Sequence, residues 1–526
     1  MRILYKIANK LFRIVKKILK LLTSRMVIIG VALLLEFCWL AGIVMQLKEK
    51  SVYINYAVTI LSLIAVLSII NNPKMNPGYK LMWAVCILAL PVTGICLYGI
   101  LGHSSVARKF RTHYDTVLLS QGGVLGEEEE TRKKLEEENI LAAGQSSYLT
   151  NYAHYPVYEN TETEYYPLGD VWFEHFIEEL KKAEHYIFME YFIISEGYLW
   201  DTVLEILKEK AAAGVDVRVI YDDFGCVTTL PYQYYKSLQQ MGIKCAAFNQ
   251  FRPVLNVILN NRDHRKIAVI DGHTAFTGGI NLADEYINRK ERFGHWKDSG
   301  ICLHGEAVWS FTVMFLQMWS TITGMECNFE SYRPEIYHEE AFKKDGFVQP
   351  YGDSPLDGET VGEHVYLNII SQAKKYLYIF TPYLIPDNET LTALCMAAKR
   401  GVDVRIVTPG IPDKKIVYIL TQANYEILLE SGVQIYQYTP GFIHSKSFVC
   451  DDEIATVGTI NMDYRSMYLH FECGVWMYGS SAVAQVKEDA LTTFEQCEQI
   501  NMDYCRKKNF AVRALRGALK FLAPLL

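Results

Sequence analysis

Two histidines in this sequence stand in the same short pattern, His-x-Lys-x4-Asp. The six residues of the two copies are His264, Lys266 and Asp271, and His444, Lys446 and Asp451. Histidine can give or take a proton near neutral pH. A lysine ammonium is a point charge that suits a phosphate group. The pattern therefore predicts a phosphate-binding site that carries chemistry.

An asparagine follows each copy at one fixed distance. The first copy is followed by Gly278-Gly279-Ile-Asn281 and the second by Gly458-Thr459-Ile-Asn461. Asparagine adds neutral hydrogen-bond donors for phosphate oxygens. If the two copies meet, two histidines, two lysines and two asparagines surround one phosphate. We expect no metal and no cofactor, because the lysines supply the charge that a metal would supply.

The spacing within each copy indicates a strand. His264 and Lys266 are two residues apart, so in a strand their side chains point to the same face. Residues 267–270 and 447–450 are apolar and are typical of buried strands. The motif aspartates come five residues after the lysines, on the other face and just before a turn. We expect them to anchor the ends of the strands.

The region that carries the motifs is a duplication. The sequence GVDVRVI at 214–220 recurs as GVDVRIV at 401–407, and each copy lies between two other strand-like apolar runs. Continuous apolar runs that alternate with helical segments indicate a sheet covered on both faces. We predict an α/β fold with two similar sheet-and-helix halves that share one active site. Half 1 comprises residues 148–330 and half 2 comprises residues 331–505.

The N-terminal region is apolar and basic. Three apolar stretches, 26–47, 52–70 and 81–101, are each long enough to cross a hydrocarbon core of roughly 30 Å, so we predict two or three transmembrane helices within 26–102. Residues 1–25 form a basic amphipathic segment that suits an anionic membrane surface. Residues 103–147 are predicted to be a charged linker. Residues 506–526 are predicted to form a second basic amphipathic helix.

Composition excludes some functions. The chain has 526 residues and a formal net charge of −7, which argues against a bulk nucleic-acid binder. Its 12 cysteines contain no Cys-x-x-Cys pair, and we interpret them as buried free thiols. The expected partner is an anionic phospholipid membrane, and the sequence leaves the oligomeric state open.

The paired motifs resemble the phospholipase D superfamily, and the resemblance covers residues 148 to about 504. It implies that one motif histidine forms a phosphohistidine while the other protonates the leaving alcohol and then deprotonates the incoming one. Family habit favours His264 as nucleophile and His444 as acid and base, with the reverse assignment open. The resemblance also implies an acid on the second ring nitrogen of each histidine. Asp298 and Glu472 fall at matching places and are the candidates.

Within that superfamily the sequence is most similar to the bacterial cardiolipin synthase family. The similarity lies in residues 76–102, in FTPYLIPD at 380–387 and in GTINMDYRS at 458–466. It implies that one phosphatidylglycerol donates its phosphatidyl group to a second, giving cardiolipin and glycerol. It also implies a multi-pass protein of the bacterial plasma membrane with a cytoplasmic catalytic body. A membrane-bound phospholipase D, phosphodiesterase or nuclease that hydrolyses its substrate is the alternative. Phosphatidylethanolamine stays open as a donor.

Overall fold

The computed structural model describes residues 30, 31, 33, 34, 36–38, 50–73, 75–102, 108–120, 123–126, 128–250, 261–506 and 510–525. They belong to two compact units. The described residues of the first unit lie within Met1–Val106, and those of the second lie within Ala107–Gln250 and Asn261–Leu526. The predicted basic segment 1–25 lies outside the described residues.

The first unit is helical. Among the described residues it contains α1 (Lys50–Ile70), α2 (Pro77–Ala89) and α3 (Pro91–Leu97), followed by a π-helical turn at Tyr98–Gly102, and the described residues within 30–38 are also helical. The Asn76 side chain accepts a hydrogen bond from the amide of Gly78 and caps α2. A buried carboxylate, that of Glu36, accepts the amide of Thr93 at 2.7 Å in the first turn of α3.

The predicted spans correspond only in part to these helices. The span 52–70 lies within α1, whereas most of the span 26–47 lies outside the described residues. The span 81–101 is not one helix, because the chain breaks at Leu90. Pro91 has no amide hydrogen and disfavours helical geometry in the residue before it. In the part of the chain that the structure describes, no helix combines the length and the apolar character needed to cross a membrane.

The segment 103–147 was predicted as a linker, and the structure corrects this. It contains the helices α4 (Arg108–Ser120), α5 (Glu129–Glu138) and α6 (Ile140–Tyr148). These helices bury apolar side chains among those of the second unit, and the ring of Tyr114 lies 5.5 Å from that of Phe471. Most residues of α5 are charged, and only Thr131 and Leu135 are buried. The sequence therefore did not indicate that α5 packs against the rest of the second unit.

The first half builds a mixed seven-stranded sheet in the order β1-β9-β7-β6-β2-β3-β4. The strands of half 1 are β1 (Thr161–Tyr166), β2 (Tyr186–Tyr191), β3 (Asp216–Asp222), β4 (Lys244–Phe248), β5 (Arg262–Asp263), β6 (Lys266–Ile270), β7 (Thr274–Gly278), β8 (His295–Lys297) and β9 (Gly300–Gly305). Strands β2, β3 and β4 are parallel, while β6, β7, β9 and β1 join antiparallel. The longer helices are α7 (Gly169–Lys182), α8 (Tyr198–Ala212), α9 (Tyr234–Gln240) and α10 (Val308–Thr323).

The second half repeats this topology. Its sheet runs β10-β17-β16-β15-β11-β12-β13-β18, and β11, β12 and β13 are its parallel strands. The strands are β10 (Phe347–Asp353), β11 (Tyr376–Phe380), β12 (Asp403–Pro409), β13 (Gln434–Tyr438), β14 (Gly441–Ile443), β15 (Ser447–Cys450), β16 (Ile454–Gly458), β17 (His470–Tyr478) and β18 (Cys497–Ile500). The helices, after a short α11 (Pro334–Tyr337), are α12 (Val361–Gln372), α13 (Asn388–Lys399), α14 (Lys415–Ala423), α15 (Tyr425–Glu430), α16 (Tyr464–Tyr468), α17 (Ser481–Phe494), α18 (Met502–Arg506) and α19 (Phe510–Leu522).

Apolar layers lie on both faces of each sheet. A central core joins side chains of both sheets with those of α10 and α17, and two further cores lie on the outer faces under α7 and α8 and under α12 and α13. Parallel strands buried on both faces read as continuous apolar runs, which is why the sequence pattern predicted this arrangement. The duplicated α/β fold is confirmed.

Two short strands cross between the halves. Strand β5 of half 1 pairs in parallel with β17 of half 2, and β14 of half 2 pairs in parallel with β8 of half 1. Because β5 and β14 lead directly into the two motifs, these pairings bring the motif histidines to the junction of the halves.

Candidate active site

The two motif histidines are attached to the opposite halves by their own backbone. The amide of His264 donates to the carbonyl of Phe471 in β17 (2.9 Å), and the amide of His444 donates to the carbonyl of Lys297 in β8 (2.7 Å). Both histidine side chains are buried, with about 7% of each residue exposed. The exchange of strands therefore fixes where each ring lies.

A buried carboxylate contacts the Nδ1 atom of each histidine. Glu472 Oε2 lies 2.9 Å from Nδ1 of His264, and Asp298 Oδ2 lies 2.6 Å from Nδ1 of His444. In each pair the acid and the histidine come from opposite halves. An ionised carboxylate in this position accepts the Nδ1 proton of a neutral ring, which leaves the lone pair on Nε2. The structure thus brings together the four residues that the sequence singled out for this purpose.

The motif lysines are buried beside the histidines. Lys266 Nζ donates to the carbonyl of His264 at 2.6 Å, while Lys446 Nζ contacts the carbonyl of His444 and lies 2.8 Å from its Nδ1. Burial lowers the pKa of Lys266 to about 8 and that of Lys446 to about 7. A bound phosphate would favour the charged form of both side chains.

Burial also lowers the pKa of both histidines well below the ordinary value. For His444 the charges of Lys446 and Lys266 lower it further, whereas for His264 the carboxylate of Glu472 opposes the shift. Both rings are therefore neutral before substrate arrives. The negative charge of an incoming phosphate raises these pKa values, which lets one ring take up the proton it must later donate.

The two carboxylates differ in protonation. Burial raises the pKa of Asp298 to about 7, against the opposing charge of Lys446. Burial acts on Glu472 in the same direction, but the interactions of this carboxylate with the nearby rings of His264 and His470 outweigh burial and hold the pKa of Glu472 well below its usual range. Glu472 is ionised at neutral pH, while Asp298 titrates there.

The two predicted phosphate-binding asparagines are both buried. Asn281 Oδ1 accepts the amide of Ile193 at 2.9 Å, and its Nδ2 donates to the hydroxyl of Tyr286 at 2.7 Å. Asn461 Nδ2 donates to Ser466 Oγ at 3.1 Å. These contacts hold loops beside the motifs.

The motif aspartates lie at the far ends of strands β6 and β15. Asp271 accepts three backbone amides at 2.7–2.8 Å, from residues 184, 185 and 186, and Asp451 accepts those of residues 374, 375 and 376 at 2.6–2.9 Å. Five residues of strand separate each aspartate from its lysine, which is roughly 16 Å. The structure therefore gives these aspartates anchoring contacts, in line with the strand-end role expected from the motif.

One asymmetry at the site escaped sequence reasoning. Thr459 Oγ1 donates to Glu472 Oε2, whereas the equivalent residue in the first motif is Gly279. A Cβ atom at Gly279 would lie only 2.0 Å from Asp298 Oδ1. The sequence signal was the difference between Gly-Gly and Gly-Thr in otherwise matching positions.

A buried ion cluster supports the first motif. Arg265 Nη2 lies 2.5 Å from Glu190 Oε1, and its Nε donates to Asp263 Oδ1 at 3.2 Å. Ser445 occupies the matching position of the second motif. The sequence signal for this cluster was the charge of Arg265 at a position where the second motif has serine.

Two groups among the described residues have metal-ligand atoms within 4.8 Å of one another. They are His264, His470 and Glu472, and Glu363, Asp387 and Glu389. The first group includes a motif histidine and its carboxylate, and the second is acidic and partly exposed. Neither group was singled out as a metal site by the sequence.

Comparison with known proteins places this geometry in a family. A model described as "Cardiolipin synthase, PLD-like domain" matches residues 176–319 and 366–493, and one described as "Phospholipase_D-nuclease N-terminal" matches residues 60–103. A cardiolipin synthase of Halalkalibacterium halodurans is 34% identical over 458 residues, which cover 86% of this chain and 90% of that protein. An uncharacterized protein of Streptococcus mutans serotype c is 43% identical over 468 residues, covering 86% and 98%.

The fold is also found in a solved structure. Phosphatidylserine synthase from Haemophilus influenzae Rd KW20 superimposes with a TM-score of 0.54 at 16% identity, covering 73% of this chain and 100% of that chain. Fold and paired motifs together define a phosphatidyltransferase of the phospholipase D superfamily. Within it, the chain belongs to the cardiolipin synthase family.

Proposed function

We propose that this protein transfers a phosphatidyl group from one phosphatidylglycerol to a second, giving cardiolipin and glycerol through a phosphohistidine. The observation that carries the proposal is the pair of buried histidines, each with Nδ1 on a carboxylate of the opposite half. This arrangement leaves two Nε2 atoms for a nucleophile and a proton carrier. The cardiolipin synthases that resemble this chain support the choice of lipid.

In the first step His264 Nε2 attacks the phosphorus of the donor lipid. The N–P bond forms as the P–O bond to glycerol breaks, and protonated His444 gives its Nε2 proton to the leaving oxygen. In the second step neutral His444 takes the proton of the acceptor hydroxyl. The acceptor oxygen bonds to phosphorus as the N–P bond breaks, which regenerates His264.

Four side chains are proposed to bind the transferred phosphate. Lys266 and Lys446 supply positive charge, and Asn281 and Asn461 supply amide donors. The low dielectric of the buried site strengthens these interactions as negative charge moves onto the phosphate oxygens. The chemical step therefore proceeds without a metal.

We also propose that the protein works at the bacterial plasma membrane, with its catalytic body on the cytoplasmic side. Support comes from the match of residues 60–103 to an N-terminal family model and from the apolar surface of α1. The large apolar side chains exposed on α1 include Ile60, Leu61, Leu63, Ile64 and Leu67. The number of spans stays a prediction from the sequence.

The test is a product analysis. Purified protein in detergent micelles is given labelled phosphatidylglycerol, and the lipids are resolved by mass. Cardiolipin is expected as the main lipid product, because an alcohol at a lipid surface competes well with water. One glycerol should be released for each cardiolipin formed. Phosphatidic acid as the main product would instead identify a hydrolase. A His264→Ala sample, which has lost the proposed nucleophile, sets the background.

A further inference from the structure

The two strand pairings that cross between the halves differ in chemistry. In the first pairing Arg262 is the register partner of His470, and in the second Phe442 is the partner of Trp296. Register partners in neighbouring strands place their side chains side by side on one face of the sheet. Each motif histidine thus lies next to one such pair.

The pair beside His444 is aromatic. The Trp296 and Phe442 rings pack edge to face with centroids 4.8 Å apart, and each lies 5.7 Å from the ring of His444. Such rings fill space and exclude water, and they offer no charge to an anion.

The pair beside His264 is polar and is not satisfied by the protein. Arg262 and His470 are 3% and 9% exposed. Nη1 of Arg262 donates to Asp222 Oδ1 at 3.1 Å, but within the described part of the chain Nε and Nη2 of Arg262 and both ring nitrogens of His470 have no hydrogen-bond partner. A buried donor without a partner costs about 1–3 kcal/mol, so these groups are suited to a ligand.

The place and the charge of this pair indicate which ligand. The ring of His470 lies 5.5 Å from that of His264, and its Nδ1 lies 3.6 Å from Glu472 Oε1. Asp222 holds one end of the Arg262 guanidinium and leaves the remaining N–H groups as a planar donor set, which suits a phosphate. Because Lys266 and Lys446 are committed to the phosphoryl group that is transferred, this donor set serves a second anion beside it.

We propose that Arg262 and His470 form a subsite for the phosphodiester of the acceptor phosphatidylglycerol. The proposal rests on the function proposed above, in which the attacking hydroxyl belongs to a lipid whose own phosphate is one glycerol away from that hydroxyl. An acceptor held by its phosphate presents this hydroxyl to the phosphorus on His264. Glycerol and water have no phosphate and gain nothing from the subsite.

A competition between acceptors tests the subsite. The enzyme in detergent micelles receives phosphatidylglycerol together with isotopically labelled glycerol, and the ratio of cardiolipin to labelled phosphatidylglycerol is measured. Both products arise from one phosphohistidine, so the ratio does not depend on how much enzyme is folded. Arg262→Gln and His470→Phe are each expected to lower the ratio roughly tenfold, the effect of losing a hydrogen bond to a charged group.

Two further variants separate the subsite from a general structural role. Arg262→Lys keeps the charge but loses the planar donor set, so the ratio should fall less than in Arg262→Gln. Phe442→Leu alters the aromatic pair at the position equivalent to Arg262 and should leave the ratio unchanged. An unchanged ratio in both Arg262→Gln and His470→Phe would overturn the subsite, as would an equal fall in Phe442→Leu. A wild-type enzyme that makes phosphatidic acid and no cardiolipin would contradict the proposed function instead.

Discussion

The two motif histidines occupy equivalent positions in a repeat, yet their surroundings differ atom by atom. Glu472 receives a hydroxyl hydrogen bond from Thr459 and is ionised, while Asp298 faces Gly279 and has a pKa of about 7. An ionised partner stabilises positive charge on His264 as the phosphohistidine forms. A partner that titrates near neutrality suits His444, whose proton must leave and return in each cycle. The asymmetry favours His264 as nucleophile.

The assignment predicts which histidine carries phosphate. A phosphatidyl substrate with a leaving group that needs no protonation is mixed with enzyme, and the trapped adduct is located by peptide mass spectrometry. We expect phosphate on His264 in the wild type and in His444→Ala, and none in His264→Ala. With phosphatidylglycerol both variants should lose at least about 10⁴-fold in kcat, as residues of one catalytic unit do. Phosphate on His444 in the wild type would reverse the roles.

The buried lysines predict a pH dependence of stability. Lys446 has a pKa of about 7 in the folded protein and about 10.4 when unfolded. Between these values the unfolded state binds more protons, so the free energy of unfolding rises with pH. From pH 7 to pH 9 the gain is on the order of 2 kcal/mol, and thermal unfolding of substrate-free protein should show it as a higher Tm.

Two variants separate the contribution of Lys446 to the pH dependence of stability from the contributions of other titrating groups. Lys446→Met should abolish transfer, raise Tm at pH 7 and flatten its rise toward pH 9. Lys208→Met, which removes a lysine whose side chain is 38% exposed, should keep the wild-type slope. If Lys446→Met and Lys208→Met gave the same slope as the wild type, the lysine would not be buried in its neutral form.

At the scale of elements, the loops before strands β2 and β11 are fixed by the motif aspartates. Asp271 and Asp451 have positive φ values, 49° and 57°. Each carboxylate accepts hydrogen bonds from three backbone N–H groups at the start of β2 or β11. Aspartate tolerates this left-handed backbone better than most residues. The motif aspartate thus stabilises the fold at one end of the strand, while the proposed chemistry takes place at the other end.

Removing one of these anchors should therefore affect folding more than turnover. We expect Asp271→Ala to lose about 3 kcal/mol of stability, because several charge-assisted hydrogen bonds disappear and their amides stay buried. Urea unfolding measures the loss, and kcat per folded molecule should stay close to the wild-type value. Glu174→Ala, at an exposed position of α7, is the control and should change stability by less than about 1 kcal/mol. A large fall in kcat per folded molecule would instead place Asp271 in the chemistry.

The elements around the site were predictable where their pattern was local. Continuous apolar runs predicted the layered halves and the strands β6 and β15. The prediction that each motif histidine shares a strand with its lysine was wrong, because His264 precedes β6, and His444 and Lys446 precede β15. The packing of residues 129–138 against the second unit was not predicted, because Leu135 and Thr131 are the only buried residues of this helix among many charges. The break at Leu90 was a proline effect that the hydropathy of 81–101 concealed. In both segments one or two residues decided the structure against the average character of the segment.

At the scale of the whole molecule, the crossed pairing of histidine and acid could not be read from the sequence. Asp298 and Glu472 lie at matching offsets, so sequence alone does not say which histidine each one serves. Only the exchange of β5 and β14 between the halves settles it. Each half therefore holds one histidine and the acid that serves the other, which makes the duplicated chain the smallest unit with a complete site.

The last prediction concerns metal, and it follows from how this whole site is charged. Lys266 and Lys446 are each 1% exposed, and both lie beside the histidines where a phosphate would bind. Because they supply the positive charge that a cation would otherwise supply, EDTA should leave cardiolipin formation in detergent micelles close to its untreated rate. Micelles matter here, since divalent ions also reorganise anionic bilayers and change activity indirectly. A complete loss of activity that one divalent ion restores would refute the site, and trapping the phosphoenzyme with and without EDTA would show whether the chemical step itself had stopped.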